Sequence, residues 1–345
     1  MKLRLDRRHA GPANQRDRMY QKILTVKELL GLNNVLPPER IPPGEKSFQT
    51  VAKNIDIDDA RKGTLRAGYA DPVYRGRGLH SLFDYHGTSL FVEGSDLKIL
   101  NPDYSADIVQ AGVGYARMNY VGVQDRIYYT NNSVIAYYDI TSKQSVQFVE
   151  PNQTYKSIMK PGHLIEWFQG RLYVARDGEL WASDPMAPHQ TDTRRGFKQM
   201  GGYLSMIKGV EDGLYVSNGD KTYFLSGEFT EMVRKTVDEH PCILGTDLRV
   251  DAEFVGLKNL SGWVITWLTR TGFAIGAKGG DVIKVTPYYR PELEFSGTAI
   301  LRKIVKSENQ QFYQYLVGQK INSDVMITSS AFEATGSLAA SLSIA

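Results

Sequence analysis

Residues 171–185 read RLYVARDGELWASDP, and this stretch decides the fold. An alternating apolar run leads to the pair Asp177-Gly178, and a second apolar run follows it and ends at Pro185. Alternation with a period of two is typical of a strand with one buried face. The Asp-Gly pair favours a tight turn because both residues adopt positive φ at little steric cost. The stretch therefore predicts a two-stranded antiparallel hairpin.

Four further stretches repeat this pattern of apolar run, turn and second apolar run. They are SLFVEGSDLKILNPD from Ser89, RIYYTNNSVIAYYD from Arg126, GLYVSNGDKTYFLSG from Gly213 and GFAIGAKGGDVIKVTP from Gly272. Another strand-like segment precedes each hairpin, so each unit has at least three antiparallel strands. A meander of that size cannot bury its apolar face alone, and each unit therefore needs a neighbour.

The repeat spacing favours radial packing of these units. Corresponding positions are 37, 45, 42 and 59 residues apart, and they are Leu90, Ile127, Leu172, Leu214 and Phe273. This range brackets the spacing of propeller blades. We therefore predict an all-β fold, a β-propeller of five to six antiparallel blades. A β-sandwich is the alternative, although it requires no repeat. The long last interval leaves room for an insertion or an extra blade around residues 232–260.

The flanking sequence suggests four regions along the chain. Residues 1–24 form a basic N-terminal arm, and 25–75 an extended strap with lead-in strands, since Pro37, Pro38, Pro42 and Pro43 forbid regular structure. The propeller is expected over 76–300. Residues 301–345 are expected to supply closing strands and a C-terminal apolar run, which resembles an unpaired strand seeking a partner, with a frayed terminus as the alternative.

Composition limits the class of protein. The chain has 345 residues, 42% of them apolar, with 32 glycines and 20 tyrosines, which favours short strands and tight turns. A single cysteine, Cys242, excludes an intramolecular disulfide framework and a cysteine-cluster zinc site. No stretch approaches the roughly 20 apolar residues that span a bilayer. We expect a soluble product of cytoplasmic synthesis without a membrane-spanning segment.

The basic arm is the candidate partner-binding or DNA-contacting segment. It carries seven basic residues against Asp6 and Asp17, a net charge of +5 that leaves −2 for the rest of the chain. The seven are Lys2, Arg4, Arg7, Arg8, Arg16, Arg18 and Lys22. Such a segment can contact nucleic acid or an acidic neighbour. A solvated, disordered terminus is the alternative.

The sequence offers no catalytic motif, and we predict no catalytic residue, no metal ligand and no cofactor. Cys242 follows His240 closely, but sequence adjacency rarely produces nucleophile–base geometry, so a buried thiol is expected. The four tryptophans Trp167, Trp181, Trp263 and Trp267 would serve a glycan-binding protein if they were exposed. Their strand positions instead favour core packing.

Three stretches in order resemble a family of bacteriophage proteins. They are LLGLNNVLPPER followed by NIDIDDARKGTLRAGY, then LHSLF, and finally LWASDP leading to GGYLSMIKGVEDGLYVSNGDKTYFLSG. This order is similar to virion proteins of tailed phages of the tail hub, nozzle or packaged-DNA stabilisation type. The closest single match is the hairpin DGLYV, residues 212–216, and the resemblance covers roughly residues 28–290.

The resemblance implies a structural protein of the phage tail or head–tail connector. Such a subunit would form a sixfold homo-oligomeric ring around the DNA exit channel of the virion, contact other tail or neck proteins, and touch genomic double-stranded DNA transiently and without sequence preference. It would not be an enzyme. The alternative function is a propeller that binds or cleaves glycans.

Overall fold

A computed structural model describes residues 73–252 and 260–284 in full, and residues 27–33, 36–41, 44 and 46–49 of the N-terminal region. Eight further strands are described by their backbone alone. They are β1 (Lys2–Leu5), β2 (Lys22–Thr25), β5 (Ile55–Ile57), β6 (Gly63–Leu65), β29 (Ala299–Ser307), β30 (Gln310–Gln319), β31 (Thr328–Ala334) and β32 (Ala340–Ser343).

The N-terminal strands form three small two-stranded sheets. β1 pairs with β2 and β5 with β6, both antiparallel, whereas β3 (Glu28–Leu32) pairs in parallel with β4 (Lys46–Gln49). A 3₁₀ turn, Pro38–Arg40, lies in the connection between β3 and β4 and begins with a proline whose fixed φ suits a helical first position. The strap predicted for this region therefore contains paired strands.

Six four-stranded antiparallel sheets follow one another along the chain. The first two contain β7 (Leu79–Tyr85), β8 (Thr88–Glu93), β9 (Asp96–Leu100), β10 (Ala106–Gln110), β11 (Asn119–Val123), β12 (Arg126–Thr130), β13 (Ile135–Asp139) and β14 (Gln144–Gln147). The third contains β16 (Leu164–Phe168), β17 (Arg171–Arg176), β18 (Glu179–Ala182) and β20 (Phe197–Gln199), with β15 (Lys156–Ile158) and β19 (Gln190–Asp192) as an added pair at its side.

The fourth sheet contains β21 (Met206–Gly209), β22 (Gly213–Ser217), β23 (Thr222–Ser226) and β24 (Val233–Asp238). The fifth contains β25 (Leu248–Asp251), β26 (Trp263–Thr269), β27 (Gly272–Gly276) and β28 (Val282–Lys284), and the sixth is β29 to β32. Two further 3₁₀ turns, Phe229–Glu231 and Lys278–Gly280, lie between the third and fourth strands of the fourth and fifth sheets.

These sheets are the blades of a β-propeller. The first strands of successive blades lie side by side, β7 against β11, β11 against β16, β16 against β21, β21 against β25 and β25 against β29. Apolar clusters fill the space between neighbouring blades, and fully buried side chains such as Ile127, Leu172 and Leu214 contribute to them. Stacking blade on blade buries the apolar face that no single meander can cover. The predicted propeller of five to six blades is confirmed.

The fifth hairpin is displaced by one strand from its predicted place. In the first four blades the repeated hairpin supplies the second and third strands, but the hairpin from Gly272 supplies the third and fourth. The innermost strand of that blade is β25, LRVD, which is short and carries only two apolar residues. β26 is the second strand of this blade, and its sequence is a continuous apolar run because the strand is buried on both faces. Residues 232–260 therefore provide the last strand of blade 4 and the first of blade 5.

The C-terminal apolar run is not an unpaired strand. Its backbone forms β31 and β32, which pair with each other, and β31 pairs with β30. β32 lies next to β3 and β5 of the N-terminal region. The expectation of an unpaired strand was wrong because the sequence between β31 and β32 lacks a strong turn signal such as Asp177-Gly178 or Asn218-Gly219, so the hairpin was not recognised.

A buried polar side chain ties each of four successive blades to the next. The Ser81 hydroxyl accepts the Met118 N–H at 2.9 Å between blades 1 and 2, and Thr130 accepts the Gly162 N–H at 3.0 Å between blades 2 and 3. His163 bonds the Leu204 carbonyl at 2.7 Å between blades 3 and 4. Between blades 4 and 5, Ser217 accepts the Cys242 N–H at 2.8 Å. These junction bonds satisfy main-chain groups that would otherwise be buried without partners.

Candidate functional site at the propeller axis

Charged side chains from four blades meet where the innermost strands come together. Glu166 is on β16 and Lys208 on β21, the first strands of blades 3 and 4. Arg117 precedes β11, and Asp247 and Arg249 lie at the start of β25. We call these five residues the axial cluster. The cluster exists because each first strand presents its edge to the axis, so that side chains distant in sequence become neighbours.

Lys208 is the centre of the axial cluster. Its Nζ lies 3.1 Å from Oε2 of Glu166 and 3.7 Å from Oδ2 of Asp247, so the amine joins blades 3, 4 and 5. Burial opposes the charge on Lys208, but the two carboxylates outweigh it and hold the pKa of the amine above its ordinary value. Oε1 of Glu166 accepts the Trp167 N–H at 3.2 Å. Each buried charge therefore has a partner, as a stable buried ion requires.

Arg117 reaches toward the axis from the entry to blade 2. Burial lowers the pKa of its guanidinium, while the carboxylate of Asp247 acts in the opposite direction. Asp247 belongs to blade 5, so this interaction spans the ring rather than joining adjacent blades. Cys242 is part of the same surroundings, and burial raises the pKa of its thiol well above the usual range. A neutral, buried thiol is a poor nucleophile.

Arg249 marks the more exposed end of the axial cluster. Its guanidinium lies 4.6 Å from the ring centroid of Trp263. Trp263 is 43% exposed, and its backbone N–H donates to Oε1 of Glu211 at 2.7 Å. Stacking on the indole holds the arginine without a buried counter-ion. The other four members of the axial cluster are balanced in charge, with two cations (Lys208 and Arg117) and two carboxylates (Glu166 and Asp247), and Arg249 adds one cation at the edge.

His163 forms a second polar feature near the axis. Its Nε2 donates to a carbonyl, so Nδ1 of the neutral ring is an acceptor, and this atom is buried without a hydrogen-bond partner in the described part of the chain. The ring stacks on Tyr203 with centroids 4.0 Å apart, and burial lowers the pKa of the imidazole. His163 therefore serves as a neutral junction residue at pH 7.

The arrangement at the axis provides cohesion rather than reactivity. The amine that general-base or Schiff-base chemistry would require is held protonated by two carboxylates. Among the described residues, no group of three or more His, Cys, Asp or Glu side chains is placed to hold a metal ion. Within the same part of the chain, no helix has the length and hydropathy needed to cross a bilayer.

The basic arm is described only by the backbone of its two strands, β1 and β2. The backbone of β1 pairs Lys2 with Thr25 and Arg4 with Ile23, and Lys22 of β2 pairs with Leu5, so these three basic positions share one two-stranded sheet. The other four predicted positions, Arg7, Arg8, Arg16 and Arg18, lie outside the described residues. A DNA- or partner-contacting role for the arm stays a prediction.

The tryptophans are mostly used for packing. Trp267 is fully buried, Trp167 stacks on Tyr128, and Trp181 stacks on Phe197. Trp263 is the exposed one of the four, and Arg249 covers one side of it. The predicted preference for core packing holds for Trp267, Trp167 and Trp181. The structure therefore does not present the four indoles as one stacking platform for sugars.

The pair Cys242 and His240 does not form a nucleophile and base. The Cys242 thiol lies against the Ile243 carbonyl and the Thr246 hydroxyl, whereas the His240 imidazole faces Asp238 at 3.3 Å. The expected buried thiol is confirmed. The axial cluster, by contrast, was not foreseen. Its one signal in the sequence was a charged residue inside an apolar strand, Glu166 in LIEWF (164–168) and Lys208 in SMIKG (205–209).

No family model matches this sequence, and no curated protein matches it. Solved structures with a similar arrangement include PorZ, a bacterial surface component of the type-IX secretion system of Porphyromonas gingivalis (8% identity, 75% of this chain and 31% of that one, TM-score 0.44). Others are a gluconolactonase from Xanthomonas campestris (12%, 72% and 85%, 0.43) and virginiamycin B lyase from Staphylococcus aureus (9%, 75% and 92%, 0.44). Two of the three are enzymes, and the likeness concerns the fold alone.

Proposed function

We propose that this chain is a structural, non-catalytic component of a bacteriophage tail or head–tail connector. Several copies would form a ring around the DNA exit channel, in a tail hub, nozzle or DNA-retention role. The proposal begins from the ordered sequence resemblance between residues 28 and 290. The axial cluster is the structural observation that supports it most directly.

The axial cluster supports a mechanical role because its ion pairs tie blades 3, 4 and 5 together at the centre. Two cations and two carboxylates lie at the central channel around which propeller blades are arranged, and their charges act on one another. The junction bonds at four successive blade boundaries also hold neighbouring blades together. A body held in this way can transmit force without changing shape.

Occupation of the axis has a consequence for DNA. Lys208 forms ion pairs with Glu166 and Asp247 where the innermost strands come together, so the axis of one subunit is not proposed as the path for a duplex. In the proposed assembly the DNA channel is therefore formed between subunits, around a cyclic symmetry axis. Contacts in such a ring are heterologous, with two different patches of each subunit meeting.

Electron microscopy and analytical ultracentrifugation of the purified chain test the ring. We expect closed cyclic particles whose central opening accommodates a DNA duplex, and antibody labelling of one end of the tail in virions made from the encoding genome. A monomer at all concentrations that binds or cleaves polysaccharide would contradict the proposal and favour the glycan-active alternative. Virions that lack the chain would contradict the tail assignment.

A further inference from the structure

Two outer edges of the propeller carry opposite charge at equivalent positions. The acidic edge consists of Asp103, Tyr104, Asp107 and Ile108, in the connection before β10 and on β10 itself. The basic edge consists of Arg194, Arg195 and Lys198, in the connection before β20 and on β20, with Tyr155 beside them. Both edges are formed by the fourth strand of a blade and the loop that leads into it, in blade 1 and blade 3.

The acidic edge is exposed, partly apolar and free of basic residues in its own segment. Residues 99–116 contain no lysine or arginine. Tyr104 and Ile108 are 53% and 59% exposed. Asp103 accepts hydrogen bonds from the Ser105 hydroxyl and N–H, which hold the pKa of its carboxyl below the ordinary value. This edge therefore offers fixed negative charge beside apolar surface.

The basic edge is complementary. Residues 193–198 read TRRGFK and carry three cations. The carboxylate of Asp192, just before them, lies 3.7 Å from Nε of Arg194 and offsets one of these charges, so the edge keeps a net positive charge. The guanidinium of Arg194 lies 3.9 Å from the ring centroid of Tyr155, which is itself 55% exposed. Exposed arginine and tyrosine side chains are the residue types most enriched at the energetic centres of interfaces. Stacking on Tyr155 also restricts Arg194 before a partner arrives, which lowers the entropy cost of binding.

From these observations we infer that the basic edge of one copy binds the acidic edge of the next copy, and that this contact closes the ring. The inference rests on the proposed ring assembly and names its interface. The occupant of each edge is a second copy of this chain because one chain carries both halves of a charge-complementary pair. A two-fold contact in which one edge met its own copy would place like charges against each other, at a cost of several kcal/mol.

The positions of the two edges fit a flat ring. Third strands run in the same direction in every blade, so the connections that lead into the two edges leave their blades at the same end of the propeller. Six blades are about 60° apart around that axis, and blades 1 and 3 are therefore about 120° apart. This is the interior angle of a hexagon, and a contact repeated with that angle closes after six copies.

Blade 2 lies between the two edges and would face the lumen of that ring. Its outer strand, β14, has the sequence QSVQ and carries no charge. Lysine and arginine along the lumen would bind phosphates and release counterions, which would retard DNA. An uncharged lumen strand instead permits a duplex to slide.

Charge reversal tests the interface. In one variant Arg194→Glu and Arg195→Glu reverse the basic edge, and in another Asp103→Lys and Asp107→Lys reverse the acidic edge. Each alone places like charges together, and we expect the concentration for half-maximal assembly to rise by about a hundredfold. Arg234→Glu with Lys235→Glu is the matched control, because these two exposed cations occupy the fourth strand of blade 4, and it should assemble like the parent chain.

Mixing the two reversed variants provides the decisive measurement. Their altered edges are complementary to each other, so an equimolar mixture should form rings with three copies of each variant, detected by native mass spectrometry. Circular dichroism of each variant checks that it is folded. Failure of the mixture to assemble overturns the inferred pairing.

The outcomes separate this inference from the proposed function. If the parent chain forms rings and both reversed variants form them equally well, the interface lies elsewhere and the inference is wrong, while the proposed ring stands. If the parent chain stays monomeric from low to high protein concentration at 50 mM salt, both the inference and the proposed ring are wrong.

Discussion

Replacement of Lys208 by methionine should destabilise the propeller strongly. The substitution keeps a long apolar side chain but removes the cation between Glu166 and Asp247, whose side chains are 4% and 10% exposed. Glu166 would then lose the cation with which it is paired, and Arg117 would be the remaining inner cation beside two carboxylates. Uncompensated buried charge is among the most costly defects that a single substitution can create.

The separations in the axial cluster set the scale of the effect. At an effective dielectric constant of about 20, Lys208 gains about 5 kcal/mol from Glu166 at 3.1 Å and about 4.5 kcal/mol from Asp247 at 3.7 Å. Desolvation of the amine cancels several kcal/mol of this gain. We therefore expect Lys208→Met to lower the free energy of unfolding by about 3–5 kcal/mol, as for other broken buried ion pairs.

Urea unfolding at pH 7, followed by tryptophan fluorescence and circular dichroism, measures this change. Lys221→Met is the matched control, since the Lys221–Glu239 pair is exposed on both sides and its loss should leave the free energy of unfolding almost unchanged. Addition of Glu166→Gln to Lys208→Met should restore part of the lost stability, because it removes the carboxylate that has lost its partner. A loss below about 1 kcal/mol, or no recovery in the double variant, would refute the assignment of the axial cluster as a buried ion network.

Four further predictions follow from the same structure. Alkaline pH should destabilise the parent chain. The pKa of Lys208 is raised in the folded state, so its charge stabilises the fold fully below the unfolded-state pKa of about 10.4, and this stabilisation is lost as pH rises through the folded-state pKa. In denaturation measured at several pH values, Lys208→Met should lack this alkaline loss of stability. Acid should destabilise the fold through His163, because burial lowers the pKa of its imidazole in the folded state. The free energy of unfolding should therefore fall as pH drops below about 6.5, and a His163→Gln variant should show a weaker pH dependence of stability between pH 7 and 5. Ser217→Ala leaves the buried Cys242 N–H without its acceptor and should cost about 1–3 kcal/mol in chemical denaturation, whereas Ser142→Ala, at an exposed turn, should cost much less. Gly122→Ala drives a methyl group into the Tyr85 ring between blades 1 and 2 and should lower the thermal midpoint, whereas Gly219→Ala enters open space and should leave that midpoint unchanged.

The fold was predictable because its signals are local. Alternation along β17 and β22 and the turns at Asp177-Gly178 and Asn218-Gly219 depend on residues within a few positions of one another. Their recurrence then required a radial arrangement. The signals failed where they were weakest, at the four-residue strand β25, and the fifth hairpin was consequently placed one strand too early.

The candidate site was not predictable in the same way, because its members are related only by the closure of blades around an axis. Arg117 and Asp247 are 130 positions apart in the sequence, and no spacing rule connects them. Likewise, the relative position of the acidic and basic edges is set only when blades 1 and 3 are placed around the propeller axis. The sequence by itself determined the unit, a small antiparallel sheet that needs neighbours, because hydrogen bonding and side-chain alternation act over short distances. Tertiary structure alone decided which charges meet at the centre and which face outward, because those relations depend on the radial packing of whole blades.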